Sequence, residues 1–196
     1  MEEILSSLKK RIDDLLKTGK QIVIAMDGNC AAGKTTLASL LEKEYDCNIF
    51  HMDDFFLRPQ QRTAERYAQP GGNVDYERFR QEVLLPLKTG NPFSYRPFSC
   101  KTFSLSDSVQ IMPKQLNIVE GTYCLHPYFE DPYDLRLFLS VDGEIQKERI
   151  LQRPPHVIDR FFSDWIPMEK HYFDALQIPE SADLRLDMSG RNRDIG

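Results

Sequence analysis

The chain has 196 residues, 41% of them hydrophobic and 28% charged, with a net charge of −5. That length suits one domain with a substantial core, and the acidic balance argues against non-specific binding to nucleic acid or to an anionic membrane. Four cysteines, Cys30, Cys47, Cys100 and Cys124, stand far apart without a C-x-x-C pair, which speaks against a zinc site or a disulfide framework and for a reducing compartment.

The opening stretch "MEEILSSLKKRIDDLLKTGK" is acidic at its start and charged throughout. It reads as no signal peptide, and no run is long enough to cross a bilayer, so a cytoplasmic location is expected. Ile4, Leu5, Leu8, Ile12, Leu15 and Leu16 form a stripe that predicts a helix over 1–19, with Gly19 as its stop. Ile22 to Ala25 then make a short β-branched run suited to a buried parallel strand.

Directly after it comes "GNCAAGKTT", Gly28 to Thr36. Gly28, Asn29, Cys30, Ala31, Ala32, Gly33, Lys34 and Thr35 fit the pattern G-x-x-x-x-G-K-[ST]. Such a loop cradles phosphates with backbone N–H groups at a helix N-terminus, a lysine reaches the outer phosphates, and the threonine hydroxyl ligates Mg²⁺. Leu37, Leu40 and Leu41 recur at helical spacing, so the loop stands between a strand and a helix, which is the context the motif requires. A nucleoside triphosphate, ATP or GTP, with Mg²⁺ is the ligand these residues call for.

Asn48 to Met52 predicts a second strand, and 60–79 a long polar loop broken by Pro70-Gly71-Gly72. A helix follows from Asp75 to Gly90, and the aromatic, turn-rich stretch over 91–106 predicts a hairpin. "QLNIVEG" and "DLRLFLSVD" are buried-strand candidates, and "GEIQKERILQR" is a charged helix. Next come a loop over 153–166, "WIPMEKHYFDAL", a last strand in "ADLRLDM", and a tail, "SGRNRDIG", expected to lack order. Alternation of strands and helices predicts an α/β fold, a parallel sheet flanked by helices on both faces. Ligands bind beyond the carboxyl ends of such strands, where the phosphate loop, Asp53-Asp54 and Glu120-Gly121 would emerge together.

Phosphoryl transfer to a hydroxyl needs one carboxylate to orient or deprotonate the acceptor and another to organise Mg²⁺. "HMDDFF" supplies Asp53 and Asp54, and "NIVEG" supplies Glu120. Each also fits an ordinary turn after a strand or a helix cap. His51 reads as a structural neighbour of this pair. Cys30, inside the loop and near a helix N-terminus, is placed where a thiolate would be favoured and where bound nucleotide would cover it.

The pieces "GNCAAGKTT", "MDDFFL", "PGGNVDYERF", "VEGTY" and "WIPMEKHYF" together resemble the uridine kinase and phosphoribulokinase family of P-loop small-molecule kinases, over nearly all the chain after Gly19. The resemblance implies a single P-loop NTPase domain over 1–196 with a small hairpin and lid insertion. It implies phosphoryl transfer from ATP or GTP to a small-molecule hydroxyl, most readily that of a nucleoside such as uridine. In that scheme Asp53 matches the general base, Lys34 the phosphate-loop lysine, and Glu120 the acidic residue near Mg²⁺, which Thr35 also ligates. Asp75 matches an aspartate that grips ribose hydroxyls, and Tyr95, Arg96, Tyr123 and His126 are candidates to line the acceptor pocket. Arg149 and Arg153 fall at the start of the lid. The family's hairpin histidine is replaced by Cys100, and the lid carries fewer arginines. "DDFF" and "WIPM" are similar as well to nicotinamide riboside kinases. A P-loop hydrolase or switch, or a non-catalytic nucleotide-binding module, remains a reading of a different class, although no N-K-x-D guanine tetrad occurs. Neither a nucleic acid nor a membrane is expected as a partner, and oligomeric state is left open.

Overall fold

The computed structural model describes residues 2–190. Helix α1, Glu2–Leu16, lays Leu8 and Ile12 into the core, and the chain turns at Gly19 in the left-handed region. Strand β1, Ile22–Gly28, runs three residues beyond the apolar run, because Met26 and Asp27 are also buried. Helix α2, Lys34–Glu42, and strand β2, Cys47–His51, follow. A 3₁₀ turn, Met52–Phe55, then carries Asp53 and Asp54.

The polar stretch that follows contains a 3₁₀ turn, Pro59–Gln61, and a short helix, α3, Ala64–Tyr67. Helix α4, Tyr76–Phe79, continues through a π-helical turn, Arg80–Leu84, into α5, Leu85–Leu87. The hairpin is nested and longer than the sequence pattern predicts. Strand β3, Phe93–Tyr95, pairs antiparallel with β6, Val109–Ile111, and encloses β4, Phe98–Ser99, paired with β5, Ser104–Leu105. Strands β7, Leu116–Glu120, and β8, Leu135–Ser140, lead to helix α6, Gly143–Leu151.

Where a loop is expected over 153–166, the chain is helical from α7, Pro155–Arg160, through a π turn, Phe161–Trp165, into α8, Ile166–Leu176. Pro155 starts this run at a first-turn position that needs no N–H, and no glycine interrupts it. Both π turns have the same cause. Pro86 and Pro167 each lie four residues beyond a member of the preceding turn, Glu82 and Ser163. A proline ring collides with the carbonyl four residues back and leaves it without a donor, and a widened turn relieves both. Helix α9, Ile178–Ser181, and strand β9, Leu184–Asp187, end the described fold. Of the tail, 191–196 lies outside the described residues.

The five long strands form one parallel sheet in the order β2-β7-β1-β8-β9. One face, with Ile22, Ile24, Met26, Ile118 and Leu137, packs under α1 and α2. The other, with Ala25, Phe50, Val119 and Phe138, meets Phe55, Phe79, Tyr172 and Phe173. Burying each such ring stabilises the fold by roughly 1.5–3 kcal/mol. The chain leaves β1 toward β2 on one side and reaches β8 on the other, so the switch point lies at the carboxyl end of β1 beside β7. Among the described residues no helix is long and apolar enough to cross a membrane.

Candidate active site

At that switch point β1 runs into the phosphate loop. Gly28 has a φ of 135°, and a Cβ there would stand 2.0 Å from the carbonyl oxygen of Leu139 in β8, so only glycine fits so close to the neighbouring strand. Ala31 adopts a φ of 58°, unusual outside glycine, and Gly33 caps α2 at a φ of 96°. The first N–H groups of α2 have no carbonyl a turn earlier in the helix and face outward as anion donors. Lys34 is 8% exposed, and its Nζ donates to the carbonyls of Gly28 at 2.7 Å and Asn29 at 2.8 Å and to Thr122 Oγ1 at 3.2 Å. The ammonium thus lies across its own loop.

Parallel register sets Glu120 of β7 beside Met26 of β1 and His51 of β2. All three point to the face that carries α2, which brings Glu120 to Thr35. Thr35 Oγ1 lies 3.1 and 3.2 Å from the two Glu120 oxygens, and His51 Nδ1 lies 2.6 Å from Oε1. The bond to Glu120 raises the pKa of His51, against the effect of burial. A hydroxyl and a carboxylate are hard oxygen donors, and as a pair they fit Mg²⁺ completed by phosphate oxygens and water.

Asp53 leads away from this pair. Its side chain opens to solvent, and among the described residues it makes no hydrogen bond, although protein walls surround it. Burial and the neighbouring Glu120 raise its pKa, while Lys34 and His51 pull it down. Asp54, by contrast, accepts a hydrogen bond from Tyr95 Oη at 3.0 Å, so of the two adjacent carboxylates Asp53 is the one left open.

No family model matches the chain. A uridine kinase of Haemophilus ducreyi is 29% identical over 146 residues, 67% of this chain and 66% of that protein, about two thirds of its length. A solved structure described as a possible uridine kinase from Bacillus stearothermophilus superposes with a TM-score of 0.63 at 22% identity, covering 92% of this chain and 100% of that one. Phosphoribulokinase from Rhodobacter spheroides gives a TM-score of 0.56 at 14% identity, with 86% and 70% covered. The chain is thus similar to uridine kinases and shares the α/β P-loop fold of these kinases.

Several residues that the family resemblance assigns to this P-loop protein sit elsewhere than expected. Asp75 is 2% exposed and caps α4, accepting from Arg78 N at 3.1 Å and from Gln61 Nε2 at 2.8 Å. Arg58 and Arg78 approach the same carboxylate at 3.6 and 3.8 Å. Tyr123 is 6% exposed and tilted against Tyr172, and His126 is stacked between Tyr76 and Tyr172 with its Nε2 at 3.2 Å from the Pro70 carbonyl. Tyr123 is part of the aromatic core, and the half-buried His126 packs against that layer. The Arg96 guanidinium donates to the carbonyls of Ser106 and Leu105 and braces the hairpin.

Of the two lid candidates, Arg149 is already engaged in this structure. Arg149 donates to the Ala31 carbonyl at 3.0 Å and to that of Met188 at 2.8 Å, so it clamps the phosphate loop to the end of β9 rather than serving a mobile lid. Arg153 is exposed just beyond α6. Cys30 is no thiolate either: burial, then the charge of Glu169, pushes its thiol up to about 12.

Sequence reasoning assigned no role to Asp27, Gln146 or Glu169. Asp27 is fully buried beneath the loop and accepts from the N–H groups of Gly28, Tyr123 and Leu125 and from Tyr172 Oη, at 2.7 to 3.2 Å. Burial raises its pKa. A carboxylate ending the apolar run "IVIAMDG" was the available signal; its partners come from distant elements.

Proposed function

We propose that this protein is a kinase that moves the γ-phosphoryl group of ATP or GTP onto a hydroxyl of a small molecule. One observation carries the reading: at a single sheet edge stand a phosphate-loop lysine, a threonine–glutamate pair and, apart from them, an aspartate with no hydrogen-bond partner among the described residues. Phosphoryl transfer asks for positioning and charge neutralisation more than for covalent chemistry by the protein. The N–H groups opening α2 receive the phosphates, and Lys34 exchanges its resting carbonyl contacts for phosphate oxygens. Mg²⁺ held by Thr35 and Glu120 supplies neutralisation of the phosphate charge when bound. Asp53 orients the acceptor hydroxyl and takes its proton; its raised pKa makes it a better base for that task.

The name of the Haemophilus relative favours a nucleoside such as uridine as acceptor, and a nicotinamide riboside-like molecule is the alternative. The test is purified protein with ATP or GTP, Mg²⁺ and a panel of nucleosides and other small alcohols. ADP or GDP release that depends on an acceptor supports the kinase. Turnover indifferent to every acceptor would assign the site to a hydrolase.

A further inference from the structure

The outward side of the phosphate loop is held by two helices. Glu169 of α8 is 3% exposed, and its Oε2 accepts the N–H of Cys30 at 2.8 Å. Gln146 of α6 donates its Nε2 to Glu169 Oε1 at 3.1 Å and to the Cys30 carbonyl at 3.1 Å. Arg149, also on α6, takes the next carbonyl, that of Ala31, where the backbone is left-handed without being glycine. Three polar groups of the loop backbone, the Cys30 N–H and C=O and the Ala31 C=O, are therefore satisfied by side chains from outside the loop.

These helices are joined by the segment over 152–165. It runs without a break from α7 through the π turn into α8, and Trp165 lies one helical turn ahead of Glu169. A carboxylate buried among these groups is costly unless every oxygen is used, and both of its oxygens are used on the loop and its brace. A change at Cys30 would reach Glu169, which lies in the same continuous helical run as Trp165, four residues on.

We propose that Glu169 is a positioning residue of the phosphate loop and couples nucleotide occupancy to the placement of the α7–α8 segment. The proposal rests on the reading of the loop as a triphosphate site. Glu169 touches no phosphate itself; it acts through the Cys30 N–H.

The experiment uses the full chain, with Mg²⁺ and ADP or a non-hydrolysable ATP analogue. Nucleotide affinity is measured by calorimetry, and placement of the α7–α8 segment by the fluorescence of Trp165, the single tryptophan in the sequence. The unaltered protein should bind nucleotide and shift its Trp165 emission in step with occupancy. Glu169→Ala should bind about tenfold more weakly, the scale of one lost hydrogen bond to a charged group, and its Trp165 response should fall by half or more. Glu169→Gln retains an oxygen for the Cys30 N–H but turns an NH₂ toward Gln146 Nε2, so it should restore both readouts in part, to values between those of Glu169→Ala and the unaltered protein. Gln146→Leu, which fills the same space without the amide, should weaken both in the same sense, and it carries the test where Glu169→Ala does not fold. Wild-type affinity and Trp165 response in both the Ala and Leu variants would overturn the coupling, as would nucleotide binding that leaves Trp165 unchanged in the unaltered protein. Absence of any nucleotide binding by the unaltered protein would instead overturn the site reading on which the coupling stands.

Discussion

His51 Nδ1 lies 2.6 Å from Glu120 Oε1, and parallel register holds the two residues side by side on β2 and β7. Thr35 approaches the same carboxylate from α2. Glu120 is thus oriented from two sides before any metal binds. Groups that orient a metal ligand typically contribute about 10- to 100-fold in metal affinity. His51→Ala should therefore raise the half-saturating Mg²⁺ concentration by about tenfold, while turnover at saturating Mg²⁺ changes less. An unaltered Mg²⁺ dependence would remove His51 from the site.

Lys34→Ala removes the ammonium that spans the loop. Loss of one preorganised electrostatic contact to the transferring group costs roughly 3–4 kcal/mol, on the order of a thousandfold in rate. Circular dichroism should be unchanged, because the Gly28 carbonyl keeps the Thr122 hydroxyl as a donor. Near wild-type turnover with a verified acceptor would contradict the loop assignment.

Asp53→Asn preserves shape without a proton acceptor, so kcat should fall about 10²- to 10⁴-fold with little change in acceptor KM. The pH profile supplies a second check. A carboxylate serving as base must be ionised, and burial together with Glu120 raises the pKa of Asp53. Activity should be complete above that raised value and lost as pH falls through it, at a pH higher than an ordinary aspartate would give. A kcat/KM that stays flat down to the ordinary carboxylate range would place the base elsewhere.

Asp75 caps α4 and faces two arginines, so its replacement should be felt first in stability. Asp75→Ala should cost about 1–2 kcal/mol, the usual worth of a helix cap, read as a lower urea midpoint with an unchanged slope. Wild-type stability with a raised acceptor KM would show instead that Asp75 leaves its cap to grip the acceptor.

The cysteines should separate by exposure. Cys100 is exposed in the hairpin, Cys47 and Cys124 are buried, and the Cys30 thiol is pushed up to about 12. With iodoacetamide at neutral pH, mass spectrometry should find Cys100 labelled first and Cys30 slowly, even without nucleotide. Rapid labelling of Cys30 would mean that Glu169 does not face it in solution.

Local chemistry made much of this protein legible before folding. The strand, glycine loop and helix around Gly28 to Leu41 are written in adjacent residues, since apolar period, glycine placement and the lysine–threonine pair are all short-range signals. Asp53 and Glu120 could be placed at strand ends for the same reason. The 153–166 segment misled because two prolines and charged residues look like a loop. Its helicity depends on first-turn Pro155 and on a π turn that accommodates Pro167. Partners distant in sequence were out of reach: Glu169 meets Cys30 across 139 positions, Asp27 meets Leu125 across 98, and His51 meets Glu120 across 69. Whether a carboxylate caps a helix, as Asp75 does, or stands open, as Asp53 does, depends on which donors tertiary packing brings within hydrogen-bond reach. The sequence by itself determined the phosphate loop and the strand ends that surround it; the tertiary structure decided which polar groups are already satisfied and which remain free for chemistry.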